Sequence, residues 1–99
     1  MSTIAKRYRE TRSKDLYTIE FRLQPGGHYD IHCTEHPTNR YDPSVSNCHL
    51  YSSGKVCVAG GKEPRTLDRA MAIAFIWMEG YSQYCRSGVF PTGAKRVNV

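Results

Sequence analysis

The sequence lacks any apolar segment long enough to cross a membrane. Its longest uninterrupted apolar run, Ala70 to Met78, has nine residues, whereas a membrane-spanning helix needs roughly 20. The first residues, MSTIAKRYRETRSK, are polar and contain no apolar core of the kind found in a signal peptide. We therefore expect a cytoplasmic protein that has no membrane partner.

The four cysteines lack the C-x-x-C spacing that is typical of zinc-binding and redox motifs. They stand at positions 33, 48, 57 and 85, and in a cytoplasmic chain they are expected to be reduced thiols. His28, His32 and His36 follow one another at intervals of four residues. On a strand, each interval spans roughly 13 Å at about 3.3 Å per residue, so these side chains cannot share one ion. We expect no metal or other cofactor, and we place the three histidines on the solvent face of a strand.

No internal repeat or low-complexity segment divides the chain. Its 99 residues, 39% of them hydrophobic, suit a single domain over residues 1–99 with one core. The formal net charge is +5, which suits an acidic partner, either a protein surface or a nucleic acid. Basic residues are densest near the N-terminus, at positions 6–14. No RNA-binding signature accompanies them, so we favour a protein partner over nucleic acid.

Alternation of apolar and polar residues predicts several short strands. Residues 16–23 alternate strictly, and residues 29–35 continue the pattern after a Pro-Gly-Gly turn, which predicts two antiparallel strands. Two further extended segments, 45–51 and 56–58, flank a Ser-Ser-Gly turn and predict a hairpin. The expected sheet therefore has about four strands.

Two helices are expected, one at each end of the domain. A short basic helix is expected within residues 3 to 14, where apolar residues are few. A long helix should begin after Thr66, a typical N-cap, and end at Ser87-Gly88. Its broad apolar sector includes Phe75 and Trp77, so we expect both rings to be buried. The predicted fold class is α+β, with a small antiparallel sheet packed on one long C-terminal helix.

Cys57 is the strongest candidate for chemistry. In the run HLYSSGKVCVAGG, residues 49 to 61, a hairpin brings this thiol to a loop with two glycines. The alternative is that Cys57 is a small buried hydrophobic residue. His49 stands opposite Cys57 across the predicted turn, where it either acts as a base or organises the loop through its ring nitrogens. No third member of a catalytic triad is evident.

The order of these motifs resembles the E2 ubiquitin-conjugating, UBC-like family, in its compact prokaryotic type. His49 and GKVCV are similar to the histidine and the cysteine motif of E2 active sites. Tyr41-Asp42-Pro43 is similar to the tyrosine-proline loop that precedes them, and WMEGYSQYCRSGVFPTG is similar to the family's C-terminal pattern. The resemblance spans most of residues 4 to 93.

This resemblance implies a UBC-like fold and a carrier function. Cys57 would receive a ubiquitin-like modifier as a thioester from an E1-like enzyme, and an amine would then take it. The family's His-Pro-Asn is absent, because Leu50 and Tyr51 follow His49, and Asn47 is the candidate substitute for its asparagine. Amides between Val58 and Gly61 are the expected donors to the oxyanion. The alternative is a non-catalytic protein-binding module of the same fold.

Overall fold

The computed structural model describes residues 2–58 and 60–91, which form an antiparallel sheet and one long helix. The elements are β1 (Thr3–Arg9), β2 (Leu16–Leu23), β3 (Tyr29–Glu35), α1 (Val45–Cys48) and α2 (Leu67–Ser87). The strands follow the order β1-β2-β3 in the sheet. The predicted α+β class and long helix are confirmed, but the sheet has three strands where about four were expected. No helix in the described ranges is long and apolar enough to cross a membrane.

The core lies between α2 and one face of the sheet. Tyr17, Ile19 and Phe21 of β2 are fully buried, as their alternation predicted, because side chains along a strand point to opposite faces in turn. β3 adds two buried residues to the same face, and α2 covers it with a broad apolar sector. The α2 residues in the core are Ala70, Ile73, Ala74, Trp77, Met78, Tyr81 and Tyr84. No described helix covers the opposite, open face of the sheet.

Both predicted ends of the long helix are confirmed. The Thr66 side chain accepts a hydrogen bond from the Arg69 amide at 3.1 Å, which satisfies one of the free amides of the first turn. Gly88 ends the helix in the left-handed region at φ 77°. Trp77 is fully buried as expected, but the prediction for Phe75 is wrong, because its side chain is 44% exposed.

The expected N-terminal helix is also wrong, since these residues form β1. Each residue of β1 pairs with β2, from Thr3 opposite Arg22 to Arg9 opposite Leu16. The alternation that marks this strand is hidden in the sequence, because Lys6 occupies a half-buried position between Ile4 and Tyr8 on the helix-facing side. A lysine can take such a place by laying its apolar stem along the core.

The segment predicted as a strand at residues 45–51 begins instead with the short helix α1. The Asp42 carboxylate accepts hydrogen bonds from the Ser44 amide at 2.9 Å and the Asn47 side chain at 2.8 Å. These bonds curl the backbone into a turn, as Asp commonly does before a helix. His49 then ends α1 in the left-handed conformation, at φ 58°.

Candidate active site

A tight turn after α1 carries Cys57 back toward β3. Leu50 and Val56 form an isolated bridge, the Tyr51 amide donates to the Lys55 carbonyl at 2.8 Å, and the Cys57 amide donates to the His49 carbonyl at 3.0 Å. The predicted turn with its two arms is therefore present. Its pairing is limited to isolated bridges, and no regular fourth strand forms among the described residues.

The returning arm lies along the outer edge of β3. The Cys33 amide donates to the Gly54 carbonyl at 2.7 Å, and the Val56 amide donates to the Ile31 carbonyl at 2.8 Å. Gly54 permits this close approach, since it has φ 94° and a Cβ there would lie 2.9 Å from the Cys33 carbonyl oxygen. The backbone beside Cys57 is thus fixed to the sheet, while Cys57 itself is partly exposed.

The four cysteines differ sharply in exposure. Cys33 and Cys48 are buried, whereas Cys57 and Cys85 are partly exposed. Burial raises the pKa of Cys33 to about 12 and that of Cys85 to about 11, and it also raises the pKa of Cys48. Because the thiolate is the nucleophilic form, these three thiols are poorly suited to react at neutral pH. Cys57 is partly exposed and lies in the loop that follows the turn.

Tyr51 approaches the Cys57 sulfur, and the sequence alone did not single it out. Its hydroxyl lies 3.8 Å from Cys57 Sγ. The hydrogen bond with Cys57 raises the pKa of Tyr51, so the phenol stays protonated at neutral pH. A protonated phenol at this distance is able to donate to the thiolate form of Cys57. The arrangement depends on the turn, which brings residues 51 and 57 to the same side.

His49 is joined to Cys57 through its backbone, while its ring faces elsewhere. The imidazole packs against Phe90 with ring centroids 4.6 Å apart, and burial lowers the pKa of His49. No hydrogen bond connects the ring to the Cys57 thiol in the part of the chain that the structure describes. Of the two roles considered for His49, this geometry favours loop organisation over acid–base work.

Phe90 holds its place because α2 has a glycine beneath it. A Cβ at Gly80 would lie 2.3 Å from the Phe90 ring, so the ring rests directly on the helix backbone. The same ring meets the His49 imidazole edge to face. No pattern in the sequence indicated this contact, which joins His49 to α2 through Phe90.

The loop after Cys57 offers free backbone donors. The Gly61 amide donates to the Glu63 carboxylate at 3.0 Å, so this expected oxyanion donor is occupied. No described residue accepts a hydrogen bond from the amides of Val58 or Gly60. Residue 59 lies outside the described ranges. Asn47 does not reach this loop, because its amide group is bound to Asp42 and Ser44.

A broad groove approaches the thiol along Tyr51. Its cavity volume is about 680 Å³. One wall is the loop that contains Tyr41-Asp42-Pro43, and the other is the turn that precedes Cys57. The side chains that line it are mostly small or polar: His36, Pro37, Thr38, Asn39, Asp42, Pro43, Ser44, Cys48, Leu50, Tyr51, Ser52, Gly54 and Tyr81. Cys57 itself does not line the groove, and Tyr51 connects the two, because its hydroxyl lies 3.8 Å from the Cys57 sulfur.

The three spaced histidines occupy different surroundings. His28 lies 3.6 Å from the Asp30 carboxylate, and His32 is half-buried on β3. His36 packs on Tyr81 of α2, with ring centroids 5.2 Å apart, so its predicted place on the solvent face of the strand is wrong. Within the described ranges, no group of three or more His, Cys, Asp or Glu residues is arranged to hold a metal ion.

Comparison with known proteins adds no relative to this description. No protein-family model matches the chain, and neither the curated proteins nor the solved structures include a match.

Proposed function

We propose that the protein is an E2-like carrier of UBC-like type that uses Cys57 as its acyl-accepting thiol. In the loading step, the Cys57 thiolate attacks the thioester carbonyl that joins a ubiquitin-like modifier to an E1-like enzyme. The E1 thiolate leaves, and the modifier stays on Cys57 as a new thioester. In the transfer step, an amine attacks this carbonyl, an amide forms, the amine loses a proton to solvent, and the Cys57 thiolate is released.

The observation that carries this proposal is the contrast among the four thiols. Cys57 is partly exposed in a loop, next to Tyr51, which lines a groove, and next to amides to which no described residue bonds. Cys33 and Cys48 are buried, and Cys85, although partly exposed, lies on α2, where burial raises its pKa to about 11. The chain order after β1 also supports it, because antiparallel strands, a tyrosine-proline loop, a histidine, a cysteine and a long helix follow one another as in the UBC-like family. β1 itself departs from this order, since it stands where the resemblance implied a short basic helix. The amides of Val58 and Gly60 are the proposed donors to the tetrahedral oxyanion.

Tyr51 and His49 take separate roles in this proposal. The Tyr51 hydroxyl, 3.8 Å from the sulfur, stabilises the thiolate by donating a hydrogen bond. His49 holds the Cys57 amide through its carbonyl and anchors the loop through Phe90. We therefore expect His49→Ala to slow transfer more than loading, since transfer depends on the position of the loop around the acyl carbon.

The test is intact-mass analysis after incubation with candidate E1-like enzymes, ATP and ubiquitin-like modifiers. We expect a modifier adduct that thiols remove, that Cys57→Ala abolishes, and that Cys57→Ser converts to a thiol-resistant, hydroxylamine-sensitive oxyester. Cys85→Ser is the matched control, because it removes the other partly exposed thiol. An adduct that survives in Cys57→Ala, or its absence with every verified enzyme and modifier pair, contradicts the carrier proposal.

A non-catalytic protein-binding module of the same fold is the second candidate. The observation that favours it is the His49 ring, which packs on Phe90 and forms no hydrogen bond with the Cys57 thiol within the described residues. Iodoacetamide labelling of the native protein separates the two candidates at an early stage. The carrier proposal expects Cys57 to be alkylated first, and protection of Cys57 favours the binding module.

A further inference from the structure

β1 forms one edge of the sheet, and its outward backbone groups can be identified. The Leu23 amide donates to the Ser2 carbonyl at 2.9 Å, and the Glu10 amide donates to the Asp15 carbonyl at 2.8 Å. In an antiparallel pair, residues alternate between hydrogen-bonded and non-hydrogen-bonded positions. The even-numbered residues of β1 therefore bond to β2, and the odd-numbered ones direct their amides and carbonyls outward. The outward residues are Thr3, Ala5, Arg7 and Arg9.

No described residue pairs with this outer edge. The sheet ends at β1, and the isolated bridges of the described chain lie elsewhere, at His32 and Leu50. An edge of this kind can pair with one more strand, because its outward amides and carbonyls are available for hydrogen bonds. Its seven residues span a length typical of natural strands.

The side chains of this edge are strongly basic and unpaired. Arg7 lies opposite Thr18 and Arg9 opposite Leu16, and both arginines are exposed on the open face. No salt bridge of the described chain includes either of them. Of the acids on the neighbouring strands, Glu20 is bound to Arg22 at 2.7 Å, and Glu35 accepts a hydrogen bond from Thr18 at 2.7 Å. The open face of the edge therefore presents two uncompensated positive charges.

The helix-facing side of the same edge opens into an apolar groove. Tyr8 and Phe75 meet edge to face, 5.2 Å between centroids, and together with Met78 they form its floor. The groove has a cavity volume of about 460 Å³, and its lining also includes the polar residues Arg9, Glu10, Thr11 and Glu79. The 44% exposure of Phe75, unexpected for a ring in the apolar sector of α2, belongs to this groove.

From this edge we propose a docking site for an extended acidic peptide segment that adds a fourth strand beside β1. Side chains alternate between faces along such a strand. Acidic residues opposite Arg7 and Arg9 meet the two charges, and apolar residues between them enter the groove over Tyr8 and Phe75. The expected ligand is therefore a partner protein segment in which acidic and apolar residues alternate. This inference is independent of Cys57 chemistry.

Three features of the edge, its charge, its outward amides and its apolar groove, favour a peptide over a second copy of the chain or a nucleic acid. A second copy of β1 would place the positive charges of Lys6, Arg7 and Arg9 on both of two neighbouring strands, and like charges across strands are destabilising. A nucleic acid would satisfy the arginines but leaves the outward amides and the apolar groove without matching groups. An alternating acidic peptide satisfies all three features of the edge.

The experiment uses the full chain and a peptide of the length of β1, seven residues, with Glu and Val alternating and both ends blocked. Fluorescence anisotropy of the labelled peptide measures affinity, and amide hydrogen exchange by NMR reports the position of binding. We expect the amides of Ala5, Arg7 and Arg9 to become protected, while those of Lys6 and Tyr8, already bonded to β2, stay unchanged. Binding without this odd-numbered protection overturns the proposal.

Two protein variants test the charges and the backbone separately. Arg7→Ala with Arg9→Ala should weaken binding by about two- to fivefold per arginine at low salt, whereas Arg40→Ala, an exposed arginine in a distant loop, should not. Edge strands tolerate proline, and Ala5→Pro removes one outward amide donor, so this variant should abolish peptide binding. Ala5→Val keeps the amide and should retain binding. A peptide with N-methylated backbone provides the same test without altering the protein, and equal binding of that peptide contradicts strand addition.

Three further outcomes would each overturn the proposal. A peptide of the same composition, with its Glu and Val residues in separate blocks, should bind more weakly. Equal affinity would mean that net charge alone accounts for the binding. An oligothymidine that displaces the acidic peptide and binds more tightly would assign the edge to nucleic acid. A dimer in sedimentation velocity that Ala5→Pro dissociates would assign it to a second copy of this chain.

Discussion

The two outer strands of the sheet differ in whether other described parts of the chain cover their outer edges. β3 is covered by the chain itself, because the segment that carries Cys57 donates and accepts backbone hydrogen bonds along it, and the Tyr29 amide is bonded to the Pro64 carbonyl at 2.8 Å. β1 has no such cover among the described residues. The covered edge fixes the backbone around a thiol, whereas the open edge leaves backbone groups and arginines available. One sheet thus separates a candidate reactive centre from a candidate docking surface by the width of three strands.

The largest expected difference in stability is between substitutions of two aromatic residues of α2, one near each edge of the sheet. Trp77 is fully buried, and its indole N–H donates to the Cys48 carbonyl at 3.2 Å near the covered edge. We expect Trp77→Ala to lower the free energy of unfolding by about 3 to 5 kcal/mol. Phe75 lies below the open edge and is 44% exposed, so Phe75→Ala should cost about 1 kcal/mol. Urea titration of both variants checks the difference, and equal losses would contradict it.

The covered edge should be intolerant of a side chain at Gly54. Both its positive φ and its contact with the Cys33 carbonyl oppose a Cβ, so we expect Gly54→Ala to destabilise the fold by about 2 kcal/mol. Gly61 has a similar φ of 82°, but no described atom lies within 4 Å of the added Cβ. Gly61→Ala should therefore cost about 1 kcal/mol. Thermal unfolding of both variants gives the two losses of stability, and their difference is the part of the Gly54→Ala loss that is due to contact with β3.

The open edge should gain stability from the loss of one hydroxyl group. The Tyr8 hydroxyl is buried, and no described residue bonds to it, so Tyr8→Phe should raise the free energy of unfolding by about 1 kcal/mol. Tyr84→Phe is the matched control, because the Tyr84 hydroxyl donates to the Asp42 carbonyl at 2.7 Å. That variant should be less stable by about 1 kcal/mol. A loss of stability in Tyr8→Phe would point to a hydrogen bond made by that hydroxyl.

The smallest expected effect is a pH dependence from the loop beside the thiol. Burial lowers the pKa of His49 below its ordinary value of 6.5, so the unfolded chain binds the proton more readily than the folded one. Stability should therefore fall as pH drops below about 6.5 and level off below the folded-state pKa. His32 has a lowered pKa for the same reason and adds to this slope. Chemical denaturation between pH 7.5 and 5 should give a shallower slope for His49→Gln than for the parent.

Local patterns were enough to predict the centre of the fold. The alternation of β2 and the N-cap at Thr66 depend only on residues that are close in sequence, and the structure confirms both. β1 was missed because its central inward position is a lysine whose stem is half-buried. The segment at 45–51 was misread because an Asp42 turn, which depends on two side-chain hydrogen bonds, overrides extended propensity. Phe75 was assigned to the core because periodicity alone cannot tell which flank of a broad apolar sector the sheet leaves exposed.

The candidate site was only partly predictable for a related reason. Cys57 could be selected from the Gly-containing turn and loop around it. The orientation of His49 depends on Phe90, which reaches it across Gly80, and no local pattern encodes a contact between residues so far apart in sequence. Tyr51 stood in the predicted turn, but its approach to the sulfur follows from which side of the turn each residue occupies. Backbone proximity was thus easier to predict than side-chain direction.

The single tryptophan of the chain gives the protein a built-in optical reporter. The Trp77 indole lies 5.8 Å from the ring of Tyr17 and 4.7 Å from that of Tyr81, so light absorbed by these tyrosines is transferred to one emitter. That emitter is bonded to the carbonyl of Cys48, one residue before His49. A change in the loop that carries the thiol should therefore alter the emission of the core, and events at Cys57 can be followed in real time without an added label.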